Sequence, residues 1–596
     1  MISWKKTLAG LAVAASLVGC SAATDPAATS TSAPTTAGGG QAAGGAATTA
    51  GGEQATASSL ISNNKGSHYD EADTEYDESA VVTITLSGTS AAGGGDGVTI
   101  DGSTVTITRA GTYRISGTLD DGRIIVNSTG EGEVRLILDG AEITSSTGPA
   151  LLVEEADETV VLLADDSVNR LTDGSGYDTS ADGAANAALH SKDDLTISGQ
   201  GALDVTGRTA DGITSTDGLV IDSGTITVTA VDDGIRGKDY LIVQGGTVRV
   251  TSGGDGLISD NEEDTTRGYV QIDDGALTID AGGDGVAAIT DVIQTGGTTT
   301  ITAGSGSVTT ADDEASTKGV KAGVAVSLAD GTVTIDSSDD ALHSDDVVQI
   351  DGGTIDLASG DDGVHAENAL LVNGGAVTVS TSYEGFEAND ITINDGTVEV
   401  TSSDDGMNAS DGSGTSQDPM ATTDSTLTIA GGTVTITADG DGLDSNGDMV
   451  ISGGTTVING PSSGDNGALD VGTSLQITGG TLFAAGSQGM AESPDADSPQ
   501  GWVQASADGR AGSTVTISDE SGTEIASYTL ARAAQNIIVS SPAMTPGGTY
   551  TVSVDGTSTN VVANQSSGGA MGPGGGGMAP GDDGGMGPGG AAPSRR

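Results

Sequence analysis

The stretch DDALHSDDVVQIDGGTIDLASGDDGVHAENALLVNGGAVTVS, residues 339–380, states one phrase twice. In each copy an Asp precedes a small residue, an apolar residue and a histidine. About eleven residues later come two turn residues and an alternating run, Thr354–Leu357 and then Ala376–Val379. Followed outward, the small residue recurs at Ala188, Gly212, Gly234, Gly256, Gly285, Gly319, Ala341, Gly363, Gly385, Gly406, Gly442 and Ala468, most often 22 residues apart. The second half recurs as LIVQGGTVRVTS (241–252), VQIDGGTIDLAS (348–359) and LTIAGGTVTITA (427–438). A period in this range marks a repeat architecture. Nothing in the unit has helical spacing, and the step is far from the nine residues of calcium-roll repeats.

A 22-residue all-β unit holds three short strands and three turns, one coil of a right-handed parallel β-helix. Each strand then pairs with its equivalent one coil away, at about 4.8 Å. Alternation places Ile226, Val228, Val248, Val250, Ile355 and Leu357 inside and Thr227, Arg249 and Asp356 outside. Glycines at the corners supply backbone angles that other residues resist. Steps of 29, 34 and 36 residues mark coils with loops, at about 260–267, 304–318 and 410–424. Loops on a regular scaffold are where function usually sits.

The flanks divide the chain further. Lys5 and Lys6 precede an apolar run, Leu8 to Val18, too short to span a bilayer as a stable anchor. It ends in Leu17-Val18-Gly19-Cys20, which resembles the lipobox of bacterial lipoproteins. That implies a signal peptide at 1–19 and lipidation of Cys20, the single cysteine, so no disulfide staples the fold. Residues 20–58 are Thr/Ala/Gly-rich and are expected to be a disordered tether. A β-rich N-terminal region or first coils follow at 59–187, then the β-helix at 188–513 and a small C-terminal β unit at 514–564 that closes the open end. Residues 565–596 are a Gly/Met/Pro-rich tail, expected to be disordered.

Composition limits the partners. With 84 Asp+Glu against 20 Lys+Arg, the formal net charge of −64 argues against nucleic acid and for cations. Salt adaptation contributes to such acidity as well. Only 17% of residues are charged, so this is not a charged disordered chain.

The phrases GIRGKD, ALHSDD, GVHAEN, GFEAND and GMNASD alternate with the GGT strands. Upstream stand AGTYRISGTLDDGRIIV, VNRLTDGSGY and ALHSKDDLTISGQGALDV. In order and spacing, from about Val81 to Asp555, these resemble the bacterial carbohydrate-binding domain-containing proteins. The resemblance implies a calcium-binding right-handed β-helix, related in fold to polysaccharide lyases, that binds acidic sugar polymers and cellulose. Fold alone does not establish function.

Two columns follow from the register. The first is the carboxylate before each anchor: Asp211, Asp233, Asp255, Asp284, Asp340, Asp362, Glu384, Asp405 and Asp441, several with a second Asp before them (Asp232, Asp339, Asp361, Asp404). Two bare charges at about 5 Å repel by roughly 3 kcal/mol at an effective dielectric of about 20. Such a column needs solvent, backbone donors or cations, and stacked carboxylates with turn carbonyls suit Ca²⁺. Asp233, Asp255, Asp284, Asp340, Asp362 and Asp405 are the candidate ligands. Plain turn chemistry is the competing account of any one of them, with Asp accepting backbone N–H bonds and Gly at positive φ.

The second column lies two residues after each anchor: His190, Thr214, Arg236, Ile258, Ala287, Lys321, His343, His365, Glu387, Asn408, Asp444 and Asp470. These are expected to face mostly outward. Lys321, His343, His365, Glu387 and Asn408 become neighbours on successive rungs, a stripe suited to an extended sugar chain. The competing account is a solvated face. Few aromatic platforms are at hand (Tyr240, Tyr269, Tyr383, Trp502), which argues against tight stacking of neutral sugars.

The reading is a lipid-anchored, outward-facing envelope protein, monomeric, that binds acidic polysaccharide of polyuronate type with calcium. A polysaccharide lyase is one alternative, with Lys321, Lys318, Lys238 or Arg236 as the basic group, but no tight catalytic constellation is visible. A non-catalytic surface stalk or adhesin is the other.

Overall fold

A computed structural model of the protein describes residues 55–181, 183–309, 316–411 and 422–566. The signal peptide, Cys20, most of the tether, the tail beyond 566 and parts of two loops (310–315, 412–421) lie outside the described residues. Those described belong to one compact unit, residues 52–596.

The body is a parallel β-helix. Ile235–Gly237, Tyr240–Val243 and Thr247–Ser252 form one coil. They pair in parallel, strand for strand, with Asp211–Ser215, Gly218–Ile221 and Thr225–Ala230 before them. On the other side they pair with Leu257–Ser259, Tyr269–Ile272 and Ala276–Ala281. Repetition of this pattern makes three parallel sheets around one continuous core. In the third strand of each coil the alternation is as read. Ile226, Val228, Val248, Val250, Ile355 and Leu357 are all at most 3% exposed. Thr227, Arg249 and Asp356 point outward. Each inward aliphatic contributes about 1.5–3 kcal/mol by burial.

The glycines fall into two columns with different causes. In the GGT turns the second glycine does adopt a left-handed angle, as at Gly353 with φ +86. The anchor glycine does not. A Cβ on Gly406 would lie 2.2 Å from Ile436 Cγ2 and 2.5 Å from the Gly442 carbonyl of the next coil. Space, not backbone angle, therefore selects glycine after the aspartate, and the positive-φ version of the turn reading is corrected.

Parallel pairing starts earlier than Ala188. Val82–Gly88 pairs with Gly111–Leu119, and that strand with Val134–Thr144. The region from Val82 is thus the first coils of the helix. Residues 57–80 are neither tether nor β. Ala57–Asn63 is a short helix capped by Thr56, and two 3-10 turns follow, Glu71–Thr74 and Glu78–Ala80. This segment runs as a strap over the outer face of the second sheet. Under the strap that face carries apolar patches. Val220, Tyr240, Ile242 and Tyr269 pack with Tyr69, and Ala325 and Val347 pack with Ala55 and Leu60. The strap covers what water would otherwise meet.

At the far end Ala534–Ser540 pairs antiparallel with Thr481–Gly486, the last third-sheet strand, and with Trp502–Gly509. The exposed edge of the parallel stack ends there. A four-stranded antiparallel sheet, in the order Glu524–Thr529, Thr514–Ser518, Thr549–Val554, Thr557–Val562, packs beyond it. Among the described residues no helix is long and apolar enough to cross a membrane.

Candidate functional site

The first strand of each coil is short, as in Leu342–Ser344. Its first side chain faces the core, and the second faces away. The residues at this second position are paired rung to rung without a slip: His190, Thr214, Arg236, Ile258, Ala287, Lys321, His343, His365, Glu387, Asn408, Asp444, Asp470. Lys321, His343, His365, Glu387 and Asn408 are thus successive rungs. The outward expectation needs correction at several positions. His190 and Thr214 are 2% and 1% exposed, and His343 only 9%. Both ring nitrogens of His190 are buried without a hydrogen-bond partner among the described residues.

The carboxylate column has a common local chemistry. In Asp233, Asp255, Asp284, Asp340, Asp362, Asp405 and Asp441 one oxygen accepts the backbone N–H of the equivalent residue in the next coil, whereas Asp211 accepts from the Asn186 and Thr214 side chains. Asp255 donates to Asp233 at 2.9 Å, Asp284 to Asp255 at 2.7 Å, Asp362 to Asp340 at 3.1 Å and Asp441 to Asp405 at 2.6 Å. Asp284 accepts from the Lys318 N–H at 2.8 Å. The turn account therefore holds for one oxygen. In the histidine-bearing coils the other turns toward the second column. Asp340 Oδ2 lies 2.9 Å from His343 Nδ1, and Asp362 Oδ2 lies 3.4 Å from His365 Nδ1. Asp284 Oδ2 is 3.8 Å from Lys321 Nζ. The two columns read separately from the sequence form one strip.

Burial governs the electrostatics of this strip. Asp211, Asp255 and Asp405 are pushed up to about 7, and Asp441 to about 8, first by loss of water and then by neighbouring carboxylates. Glu384 reaches about 10 for the same reasons, with Asp362 as its strongest like-charged neighbour. Asp233 and Asp444 are also raised, Asp444 well above the usual range. Asp340 is the exception. Burial opposes its charge, but the His343 hydrogen bond and the Lys318 ammonium outweigh that and hold its pKa low.

Among the described residues four groupings of three could hold a cation. Ligand atoms of Asp405, Asp441 and Asp444 lie within 4.8 Å of one another, as do those of Asp340, His343 and His365, of Asp362, His365 and Glu387, and of Asp339, Asp340 and Asp361. The first is all oxygen, the donor type Ca²⁺ takes. Beside it in the ladder, Asn408 Oδ1 is buried with no hydrogen-bond partner among the described residues, a further candidate oxygen. Asp405, Asp340 and Asp362 thus fall in groupings. Asp233, Asp255 and Asp284 stack in the column but fall in no three-residue grouping among the described residues.

Sequence reasoning missed Asp441 and Asp444 as members, although both belonged to the columns. It named Lys318 as a basic residue beside the acidic column but did not pair it with Asp339 and Asp340. The long step before Gly319 delivers this lysine onto Asp339 Oδ1 at 2.9 Å and Asp340 Oδ2 at 2.7 Å. Burial would lower its pKa, but Asp340 and Asp339 raise it. It is therefore a poor general base. Arg236 is engaged by Asp260. Of the four aromatic platforms, Tyr240, Tyr269 and Trp502 are at most 2% exposed and only Tyr383 is open, at 50%.

Comparison with known proteins follows the same lines. A family model described as carbohydrate-binding domain-containing protein matches residues 101–363 and 362–556. A carbohydrate-binding domain-containing protein from Acetivibrio thermocellus is 38% identical over 137 residues, 23% of this chain and 48% of the relative. The chain thus spans about half the length of that relative. A solved structure, the gadolinium derivative of a polysaccharide lyase-like protein from C. thermocellum, is 30% identical over 42% of this chain and 98% of that one, with a TM-score of 0.39.

Proposed function

The chain belongs to the carbohydrate-binding domain-containing family, and from that premise we propose that it is a lipid-anchored envelope protein that binds acidic polysaccharide along its first sheet, with calcium shared between protein and polymer. The observation that carries this reading is the run of successive polar rungs Lys321, His343, His365, Glu387 and Asn408. Its rungs recur at about 4.8 Å, close to the length of one sugar residue, so successive rungs meet successive sugars. Polar donors and acceptors dominate it, and stacking platforms are scarce, which suits a charged polymer better than a neutral one.

Charge then calls for a cation. A chain of formal charge −64 repels a polyanion at long range. The Asp405, Asp441 and Asp444 oxygens, with Asn408 Oδ1 beside them, offer Ca²⁺ part of its six to eight oxygens. Carboxylates of a polyuronate would complete the shell. Lys321, held 3.8 Å from Asp284 and 40% exposed, supplies a cationic contact lower on the ladder. Cys20, in its lipobox-like setting, would tie the protein to the membrane.

The test is pull-down with insoluble polygalacturonate at about pH 8, with and without chelator, while ultraviolet absorbance is followed for an unsaturated product. Calcium-dependent retention with flat absorbance is expected. Calcium-independent retention would reject the bridge. Rising absorbance abolished by Lys321→Ala would identify a lyase instead.

A further inference from the structure

His343 and His365 stand on adjacent rungs with ring centroids 4.9 Å apart. Both turn Nδ1 toward the same carboxylate, at 2.9 and 3.9 Å from Asp340 Oδ2. His365 Nδ1 also lies 3.4 Å from Asp362 Oδ2 and 3.7 Å from Glu387 Oε2. We propose that these rungs form a site for a divalent transition metal of the Zn²⁺ class, with His343 Nδ1, His365 Nδ1 and Asp340 Oδ2 as ligands and a fourth from Asp362 or Glu387. The site is separate from the all-oxygen grouping around Asp441 and does not rest on the carbohydrate reading.

Four features support it. Tetrahedral zinc with bonds of about 2.0–2.1 Å places its ligands roughly 3.3 Å apart, and the separations above bracket that value. The donor set mixes imidazole nitrogen with carboxylate, which suits zinc, copper or nickel rather than calcium. His343 Nε2 lies 3.1 Å from Asp345 Oδ1. With the Nε2 proton directed there, the Nδ1 lone pair faces inward, the arrangement in which a carboxylate orients a metal-ligating histidine. Finally, the ligand oxygens are already placed. Asp340 Oδ1 and Asp362 Oδ1 are engaged by backbone N–H groups of the next coil, at 3.1 and 3.2 Å, which turns each Oδ2 toward the histidines.

In this arrangement nitrogen lone pairs face carboxylate oxygens, so a proton or a metal must stand between them. The Lys318 ammonium, 2.7 Å from Asp340 Oδ2, shows that this oxygen attracts a cation and competes with a metal for it. Binding to the ladder's imidazoles would release protons.

The experiment uses the untagged full chain, stripped with chelator and titrated with Zn²⁺, Co²⁺ and Cu²⁺ alone. One equivalent should bind at micromolar concentration and resist millimolar Ca²⁺. Proton release should be visible as buffer-dependent heat, the Co²⁺ form should show tetrahedral visible bands, and the Cu²⁺ form nitrogen hyperfine coupling. The double variant His343→Ala/His365→Ala, checked for an unchanged β spectrum, should lose this uptake. Asp345→Asn should bind about 10- to 100-fold more weakly, and Lys318→Met more tightly. Unchanged zinc affinity in the double variant would overturn the proposal, as would no uptake by the native chain. No gain from Lys318→Met would remove Asp340 from the ligands and the site as stated. Retention on polygalacturonate, measured separately in the double variant, reports on the polysaccharide reading and not on this one.

Discussion

At the scale of single residues, the carboxylate column sets structural need against electrostatic cost. Asp441 Oδ1 accepts the Gly467 N–H at 2.5 Å, so an acceptor is needed there. Its negative charge is not, since burial and then Asp405 push the pKa to about 8. Asp211, Asp255 and Asp405, at about 7, share the strain. Their folded pKa values exceed the unfolded value of about 3.9. The folded state therefore holds more protons in that window, and stability falls as pH rises from about 4 to 8. In chelator, the melting temperature should drop across this range, and Ca²⁺ should restore it at about pH 8. Asp441→Asn keeps the acceptor and removes the charge. It should stabilise the chelated protein at about pH 8 by ~1–2 kcal/mol, well under the ceiling of about 6 kcal/mol set by ~1.4 kcal/mol per pKa unit over this rise, and shrink the calcium effect. Calorimetry at both ends of the pH range checks this. A flat profile in chelator would mean that water already relieves the column.

At the scale of elements, the coil works by matching one corner to the strand opposite. Anchor glycines face β-branched side chains: a Cβ on Gly234 would meet Val250, on Gly319 Ile335, and on Gly442 Ile458. Where the anchor is alanine the ladder changes. Beyond Ala341 the equivalent position is Leu357, paired between Ile335 and Val379, and beyond Ala468 it is Ala484, paired with Ile458. Ala188, in an early coil, keeps a valine at Val205, which the structure does not explain. The pairing predicts that Gly406→Ala costs about 1–3 kcal/mol by overpacking. Ile436→Leu, which removes the Cγ2 that the new Cβ would strike, should recover at least half of it. A double-mutant cycle by denaturant unfolding measures the coupling. Additive losses would show that the Gly442 carbonyl, not the side chain, excludes the methyl group.

At the scale of the whole molecule, the strap joins distant coils. Lys65 Nζ lies 3.2 Å from Asp239, the His68 ring reaches the Tyr240 hydroxyl at 2.7 Å and Thr196 at 3.0 Å, and Arg114 meets Glu78 at 2.9 Å. Beginning the chain at Val81 would uncover Tyr240, Ile242 and Tyr269. That variant should melt at a lower temperature and bind a hydrophobic dye, while keeping its β spectrum. An unchanged melt without dye binding would show that the strap is passive. This strap was not legible beforehand. A strict period places every residue that obeys it, so the coil, the inward and outward faces, and the rung order from Lys321 through His343, His365 and Glu387 to Asn408 could be counted from the sequence. Residues outside the period have no such ruler. The strap lacks the repeat, whereas Lys318 stands one residue before the Gly319 anchor, in register between Asp284 and Asp340. The strap's position follows from apolar side chains on the outer face that must be covered. The sequence by itself determined the repeating fold and the order of its ladders. Only the tertiary structure decided which ladder residues are buried, that the two columns share one strip, and where cations can enter it, because burial and charge neighbourhood depend on what the non-repeating segments cover.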